Sequence, residues 1–498
     1  MATKNIASQA VGYEALIARF GLQVMPNWHR SMVAGMRQTR VEAGSTLDIF
    51  PASYATDGSL GEELEFALKY DGTNLTTLAA VFEHAEPEDL LAYIRRKPTG
   101  KYARRLWYLY ELLTGRRLPL EDIATGSYVD LLEASEYCTA DPVQVRRHYI
   151  NDNLLGDVRF CPMVRRTEAL RAFEKMDLPA KCQEVLSAFP REVLRRALSY
   201  LYTKETKSSF EIESVALDAS RVERFVALLH VAERDDFFAK APLINLQNRI
   251  VDPRYAEADY RHIQNYVGES QAYQRERVHY VAPKHEDLES LMEGMYSSHA
   301  RLGAARVHPV VHAAAVAFGF VYMHPFEDGN GRIHRFLIHN ILARRKYTPT
   351  GVIFPVSATM LQDPAAYDAA LEAFSRELLP LLDYILSDDG HLTVTTDSGR
   401  YYRYLDMTTQ TEALFGFVQR AIETDLAEEL RFLQHYDASK SGLQAIVDMP
   451  DKAIDLFIRL CVNNGGKLSA NKRASQFSEL TDNEVERMQE VVRREYFQ

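Results

Sequence analysis

Apolar residues return at i, i+3, i+4 and i+7 through much of this chain, the spacing that lays one apolar stripe along a helix. The stretches "YARRLWYLYELLTG" (102–115) and "RVERFVALLHVAE" (221–233) show it plainly, and the pattern predicts a mostly α-helical protein. Strand-like runs are few and short; the clearest is "RERVHYVAP" (275–283). "PVVHAAAVAFGFVYM" (309–323) is apolar almost throughout and too long for a strand, so it predicts a buried helix. His324-Pro325 should end that helix, because a residue before proline is pushed out of the α region. Helical spacing resumes in "GRIHRFLIHNILARR" (331–345) through Ile333, Phe336, Leu337 and Ile341.

Turn-rich stretches such as "PASYATDGSLGEE" (51–63) punctuate the first two hundred residues. "LSDDGHLTVTTDSGRYY" (386–402) is dense in Asp, Gly, Ser and Thr and reads as a linker. Three consecutive domains are therefore expected: a helical one over 1–200, a central one over 201–388, and a helical one over 389–498. A length of 498 residues supports this, being too great for one ordinary core.

Composition then removes several classes. Hydrophobic residues are 46% and charged residues 26%, ordinary for a soluble globular protein. A net charge of -11 argues against a general nucleic-acid footprint, so nucleic acid is not an expected partner. Cys138, Cys161, Cys182 and Cys461 are scattered without a CxxC pair, which fits free thiols in a reducing compartment. "MATKNIASQAVGYEAL" (1–16) lacks the basic and apolar regions of a signal peptide. The apolar run "VVHAAAVAFGFVYM" (310–323) has 14 residues, too few to span a bilayer. A cytoplasmic location without membrane partners is expected.

The candidate chemistry lies in "HPFEDGNGRIHR" (324–335), between the two helices predicted above. The first amides of a helix have no internal acceptors and the helix dipole is positive there, so anions bind readily. Gly329 and Gly331 let backbone approach a phosphate, and Asn330 can donate an amide hydrogen. Arg332 and Arg335, three apart on one helix face, can reach successive phosphates. Asp328 offers a hard oxygen to Mg²⁺, and His324 can take a proton from an incoming hydroxyl. Phe326 is the apolar anchor that packs the loop down under the nucleotide-binding residues. For any one residue the bland reading is a helix-loop-helix corner with surface arginines; jointly they point to phosphate chemistry. The stretch is neither a Walker A loop nor a Rossmann fingerprint.

"HPFEDGNGRIHR" resembles the signature of Fic-domain proteins, HPFx(D/E)GN(G/K)RxxR, and matches every specified position. The resemblance implies a Fic helical core with a small β-hairpin flap, flanked by N- and C-terminal helical domains. It implies transfer of AMP from ATP to a Ser, Thr or Tyr hydroxyl of a protein target. His324 would then be the base and Asp328 would bind Mg²⁺ at the α- and β-phosphates. Asn330 and the amides of Gly329 and Gly331 would form the anion hole, and Arg332 and Arg335 would hold the outer phosphates. A homodimer and, over 389–498, a winged-helix or other helical appendage are further family expectations.

Two other stretches extend the resemblance. "RHIQNYVG" (261–268) is similar to the family's R-x-x-Q-x-x-I/V-G, which leads into a flap expected from Gly268 to Pro283. The flap's edge is a candidate for β-augmentation by the target; an ordinary hairpin covering the core is the alternative. "KSSFEIESV" (207–215) resembles the inhibitory-helix pattern (S/T)xxxE(G/N), with the helix near 206–216. Ser209 and Glu213 are four apart on one helix face, and the pattern implies that Glu213 pairs with Arg335 and restrains the enzyme. Serine stands at 214 where glycine or asparagine is usual; being small, it should still allow close approach. The same glutamate would orient water if the protein instead removed AMP. A nucleotide-sensing binding protein is the alternative outside enzymology, though such a protein needs neither His324 nor Asp328.

Two weaker signals complete the reading. His308 and His312 have the i, i+4 spacing of a zinc helix but lack the glutamate of HExxH, so packing is the better reading. The arginine-rich segments "RRLWYLYELLTGRRLPL" (104–120) and "RRHYINDNLLGDVRFCPMVRRT" (146–167) suit either an anionic partner or internal ion pairs, the second being favoured.

Overall fold

The computed structural model describes residues 8–42, 44–271 and 275–497; the first seven residues of the N-terminal stretch read above and the flap residues 272–274 lie outside them. Helices predominate, as the apolar spacing requires, but they do not form three consecutive domains. One unit gathers Met1–Met176, Glu223–Tyr347 and Asp363–Gly416, and the other gathers Asp177–Val222, Thr348–Gln362 and Phe417–Gln498. The stretch read as a linker is part of the first unit. It carries a short hairpin, Tyr384–Leu386 with Leu392–Val394, and the helix Gly399–Arg403. Tyr401 and Tyr402 are fully buried, and the Tyr402 hydroxyl donates to Val281 O at 2.5 Å. Just beyond, Cys161 N donates to Arg403 O and Met163 N to Leu405 O, at 2.7 and 2.8 Å. Its polar composition hid two tyrosines that bury their rings and tie down their hydroxyls.

The first two hundred residues are less purely helical than their sequence suggests. Strands Gln9–Val11, His29–Val33, Ser45–Phe50 and Gln38–Glu42 form a sheet in that spatial order, with the middle pair parallel. They have three to six residues each, and Gln38–Glu42 is exposed at every position, so no apolar alternation marks it. The predicted helix at 102–115 is Lys101–Thr114, stopped by Gly115 in the left-handed region at φ 66°. Its arginines serve the fold: Arg104 donates to Ser127 O at 2.8 Å, and Arg105 donates to Glu133 at 2.7 Å. Arg147 pairs with Glu111 at 2.9 Å. Arg105 and Arg147 are thus held in internal ion pairs, and Arg104 by backbone carbonyls.

A buried carboxylate in this region gives a pH prediction. At the start of helix Tyr13–Phe20, Gly12 N donates to Glu63 at 2.6 Å and Tyr13 N to Asp71 at 3.2 Å. The Ser31 hydroxyl also donates to Asp71. Burial dominates these bonds and pushes the Asp71 carboxyl up to about 7. A raised carboxyl favours the folded state when protonated, so stability is lost as pH climbs from about 4 through 7. Asp71→Asn keeps the shape without the charge. Urea unfolding of both proteins should show the difference moving toward the Asn variant by up to about 3 kcal/mol between pH 5 and pH 8. A difference independent of pH would refute this account.

The second unit is all-helical from 441 onward among the described residues, so no wing strands accompany these helices. Asp451–Val462, Ala470–Gln476 and Asp482–Phe497 close around Phe457, Cys461, Met488 and Val492. In the same unit, helix Arg191–Glu211 buries Glu205, whose carboxylate accepts Ser357 N at 2.9 Å. All four cysteines are free and buried. No helix of the described residues is long and apolar enough to cross a membrane.

Five helices and one hairpin of the first unit frame the candidate site. They are α1 (Lys240–Ile250), α2 (His285–Ala304), α3 (Pro309–Met323), α4 (Asn330–Arg344) and α5 (Pro364–Leu378), with β1 (Tyr266–Gln271) and β2 (Arg275–Val281). The two apolar helices predicted on either side of the motif are α3 and α4.

Candidate functional site

α3 begins at Pro309, whose fixed φ suits a first helical position, with His308 accepting Val310 N at 3.2 Å. His312 takes part in a buried chain instead of a metal site: its Nε2 lies 3.0 Å from His299 Nδ1, and Arg345 donates to its Nδ1 at 3.3 Å. Among the described residues no group of three His, Cys, Asp or Glu side chains can hold a metal.

α3 ends at His324, which adopts the left-handed conformation at φ 49° and ψ 54°. A non-glycine residue there is strained, and its surroundings hold it. Arg261 Nε donates to His324 O at 2.8 Å, and Arg261 N donates to Pro325 O at 2.9 Å. The ring Nδ1 lies 3.0 Å from Val321 O. A carbonyl only accepts, so Nδ1 carries the proton and Nε2 of the neutral ring carries the lone pair. The orientation is that of a base with a fixed tautomer.

Beyond Pro325 the loop closes on itself. Phe326 is fully buried, near Tyr260 at 5.9 Å between rings. Asn330, 2% exposed, accepts Phe326 N at 3.1 Å and donates to Phe326 O at 2.7 Å. Its carboxamide therefore braces the loop, a task that the sequence reading did not give it. Gly329 sits at φ 92°, and a Cβ there would meet Val251 Cγ1 at 2.8 Å, so two constraints demand glycine. Ile333 N donates to Gly329 O at 2.9 Å and starts α4. Gly331 lies in the first turn, half-buried.

The charged residues divide by exposure. Arg332 and Arg335 are each 2% exposed, whereas the Asp328 side chain is 46% exposed. Arg332 Nη2 donates to Asp328 Oδ1 at 2.6 Å, an i, i+4 pair that joins the expected phosphate ligand to the expected metal ligand. Each partly neutralises the other. His334 points the other way: its Nδ1 lies 2.8 Å from Ala317 O, and burial pushes the imidazole down to about 3. It is a neutral packing residue between α3 and α4.

The donor set at Asp328 fits Mg²⁺. This ion is usually held by one or two carboxylates together with substrate phosphate oxygens and water, not by a protein cage. One half-exposed carboxylate at a helix N-terminus, without a three-ligand cluster, is such a set.

Two brackets position the loop, and both come from residues outside the twelve-residue motif. Arg261, 2% exposed, forks to three carbonyls: His324 O at 2.8 Å, Ile263 O at 2.6 Å and Pro283 O at 2.6 Å. It joins the end of α3 to the base of the flap. On the other side, Glu257 accepts Glu327 N at 2.8 Å, and fully buried Gln247 on α1 donates to Glu257 at 3.2 Å and to Asp328 O at 3.4 Å. Arg261 opens the quoted "RHIQNYVG", but the sequence assigns it no role. Glu257 and Gln247 carry no sequence signal, because their value arises only where α1 packs on the loop.

The flap is an antiparallel hairpin, with Tyr266 paired to Val281 and a bulge at Val267/Gly268. Asn265 N–H₂ donates to Phe326 O at 3.2 Å, and Gln264 donates to Ala282 O at 2.7 Å. The Tyr280 hydroxyl donates to Tyr322 O. The hairpin base is thereby fixed to both the motif and α3.

Ser209 and Glu213 belong to the second unit. Ser209 is fully buried near the end of helix Arg191–Glu211, and Glu213 is half-buried just past it. Ser214 N donates to Glu211 O at 2.9 Å and Val215 N to Phe210 O at 3.2 Å, with Ser214 at φ 54°. This is a Schellman ending, whose left-handed residue is usually glycine and sometimes asparagine. The preference for glycine or asparagine at this position therefore has a backbone cause. Smallness, the reason given for tolerating serine, is not the constraint; serine costs about 1 kcal/mol in this conformation.

The Fic/DOC family matches over residues 237–342. The protein adenylyltransferase Fic of Drosophila melanogaster is 33% identical over 214 residues, covering 40% of this chain and 39% of that protein. The protein of the same name from Aedes aegypti is 32% identical over 122 residues, covering 24% and 22%. The chain thus spans between about a fifth and two fifths of the curated relatives it matches. A Fic-domain-containing signalling protein of Bacteroides thetaiotaomicron aligns over 52% of this chain and 95% of its own, at 16% identity and a TM-score of 0.37. Residues 237–342, which match the Fic/DOC family, contain His324, the loop, both arginines and the flap.

Proposed function

We propose that this protein transfers AMP from ATP to a hydroxyl of a protein target. The observation that carries the reading is the loop at 324–335: an imidazole with fixed tautomer stands beside an exposed carboxylate and two buried guanidiniums at one helix start. Relatives named protein adenylyltransferase support it.

In this reading the target hydroxyl loses its proton to His324 Nε2 as its oxygen bonds to the α-phosphorus. The bond from that phosphorus to the bridging oxygen breaks, and pyrophosphate leaves. Arg332 and Arg335, with the first amides of α4, meet the phosphate charge. Arg332 would exchange its bond to Asp328 for a phosphate oxygen, leaving the Asp328 carboxylate as the residue that would hold Mg²⁺. Mg²⁺, when bound, neutralises the polyphosphate and orients it. Glu213 is the restraining carboxylate, competing with the γ-phosphate for Arg335. The buried free thiols suit a reducing cytoplasm.

The test uses wild type and Glu213→Gly with Mg²⁺ and ATP labelled at the α- or the γ-phosphate. Covalent α-label on the protein itself or on lysate proteins should rise at least about tenfold in Glu213→Gly, with no γ-label retained. Retention of γ-label would show phosphate transfer and refute the reading. Equal α-label in both proteins would remove Glu213 as the restraint. Loss of pre-attached AMP that requires Glu213 would indicate hydrolytic removal of AMP instead.

A further inference from the structure

A groove beside the base has walls of one charge. The cavity, of about 270 Å³, is bounded by β1 and β2, by the end of α3 with His324, and by α5. Asp368, Leu371, Glu372 and Ser375 line it, spaced i, i+3, i+4 and i+7, so one face of α5 looks onto it. That wall is rigidly placed. The Tyr322 hydroxyl donates to Ala370 O at 3.1 Å and to Leu371 O at 3.2 Å, and Gln410 donates to Tyr322 at 2.9 Å.

The opposite wall depends on the flap bulge. Tyr280 pairs with Val267 and Val278 with Gly268, leaving His279 as the extra residue. The bulge lets His279 and Tyr280, adjacent in sequence, both line the groove, and Glu269 joins them from β1. Among the described residues, Glu269, Asp368 and Glu372 line the groove and no lysine or arginine does. Glu269 has His279 at 3.6 Å and Glu372 has Arg376 at 2.6 Å, but both carboxylates are exposed and such pairs contribute little. Asp368 has no ion pair among the described residues; burial and the charge of Glu372 raise its carboxyl. Weakly compensated like charges beside an apolar floor call for a cation with an apolar stem.

We infer that this groove selects target segments carrying lysine or arginine two residues from the modified hydroxyl, with Asp368 and Glu372 as the specificity residues. The inference rests on the proposed AMP transfer. A segment that adds to the flap edge turns every second side chain to the same face, about 6–7 Å apart. A hydroxyl at His324 therefore sets its second neighbour on the same side, toward the α5 wall.

The test uses Glu213→Gly protein, Mg²⁺, α-labelled ATP and synthetic heptapeptides. Each has a central Ser, Thr or Tyr and either Lys or Glu at both second neighbours. The Lys peptides should be labelled at least about tenfold faster than the Glu peptides, with the ratio shrinking as salt rises. Adding Asp368→Asn and Glu372→Gln should bring the ratio to about one, and Asp368→Lys should invert it. A ratio near one in the parent, or one unchanged by the α5 substitutions, overturns the inference. Self-labelling in the same tubes separates the two failures. Self-label with no labelled peptide overturns the groove alone, whereas no label anywhere overturns AMP transfer and the groove with it.

Discussion

Removing the imidazole at position 324 should slow AMP transfer by about 10²–10⁴-fold, the usual contribution of a positioned general base. The choice of substitution matters because His324 holds a left-handed backbone at φ 49°. Alanine strains that conformation, whereas asparagine tolerates it, so Asn separates loss of the base from loss of the turn. Both variants belong in the Glu213→Gly background, which removes the proposed restraint, with initial rates followed by α-label. The prediction is that Asn and Ala fall together. Asn at parental rate would exclude His324 as the base, because a carboxamide cannot accept the proton. A large loss in Ala with little in Asn would mean that the left-handed turn, not the imidazole, matters.

The second large effect is on stability. Arg261→Met should destabilise the first unit by about 3–5 kcal/mol, the range for removing one partner of a buried charged network. Its three carbonyl partners, on His324, Ile263 and Pro283, would lose their donors together. Burial lowers the guanidinium to about 10, with Tyr280 opposing, so it remains charged at neutral pH. Arg261→Lys should recover less than half of the loss, since one ammonium cannot reproduce a planar fork. Urea unfolding monitored within the first unit checks both. A loss below about 1 kcal/mol in Arg261→Met would show that the fork is dispensable. Because Arg261 ties His324 O to Pro283 O, the same variant should also lose transfer activity before it unfolds.

Much of the site was legible because its elements are contiguous. α3 is apolar throughout, α4 has helical spacing, and proline and two glycines mark the turn between them. Each of these signals acts over a few residues, so the chain order states them directly. The small N-terminal sheet was not legible, because its strands are short and one is exposed along its length. The segment at 386–402 was misread because turn-forming residues outweighed two tyrosines whose burial depends on partners far along the chain, Val281 and Gln23. The domain order failed for the same reason: segments more than a hundred residues apart assemble each unit.

The two brackets show most clearly where local signals end. Arg261 and Glu257 lie more than sixty residues before the loop they hold, and Asn330 braces the loop through Phe326 instead of standing open. Ser214 shows a middle case. Its departure from a pattern was visible in sequence, but the left-handed backbone that explains the pattern is a property of the helix ending.

The sequence by itself determined the chemistry available here: an imidazole, a carboxylate, two guanidiniums and glycine-rich backbone at a helix start. Residue type and short spacing are enough for that, since both are local. Only the tertiary structure decided which nitrogen of His324 bears the proton, that Arg332 rests on Asp328, and which acidic wall stands beside His324. Those outcomes depend on hydrogen bonds and burial between distant segments, and packing creates such contacts only when the chain has folded.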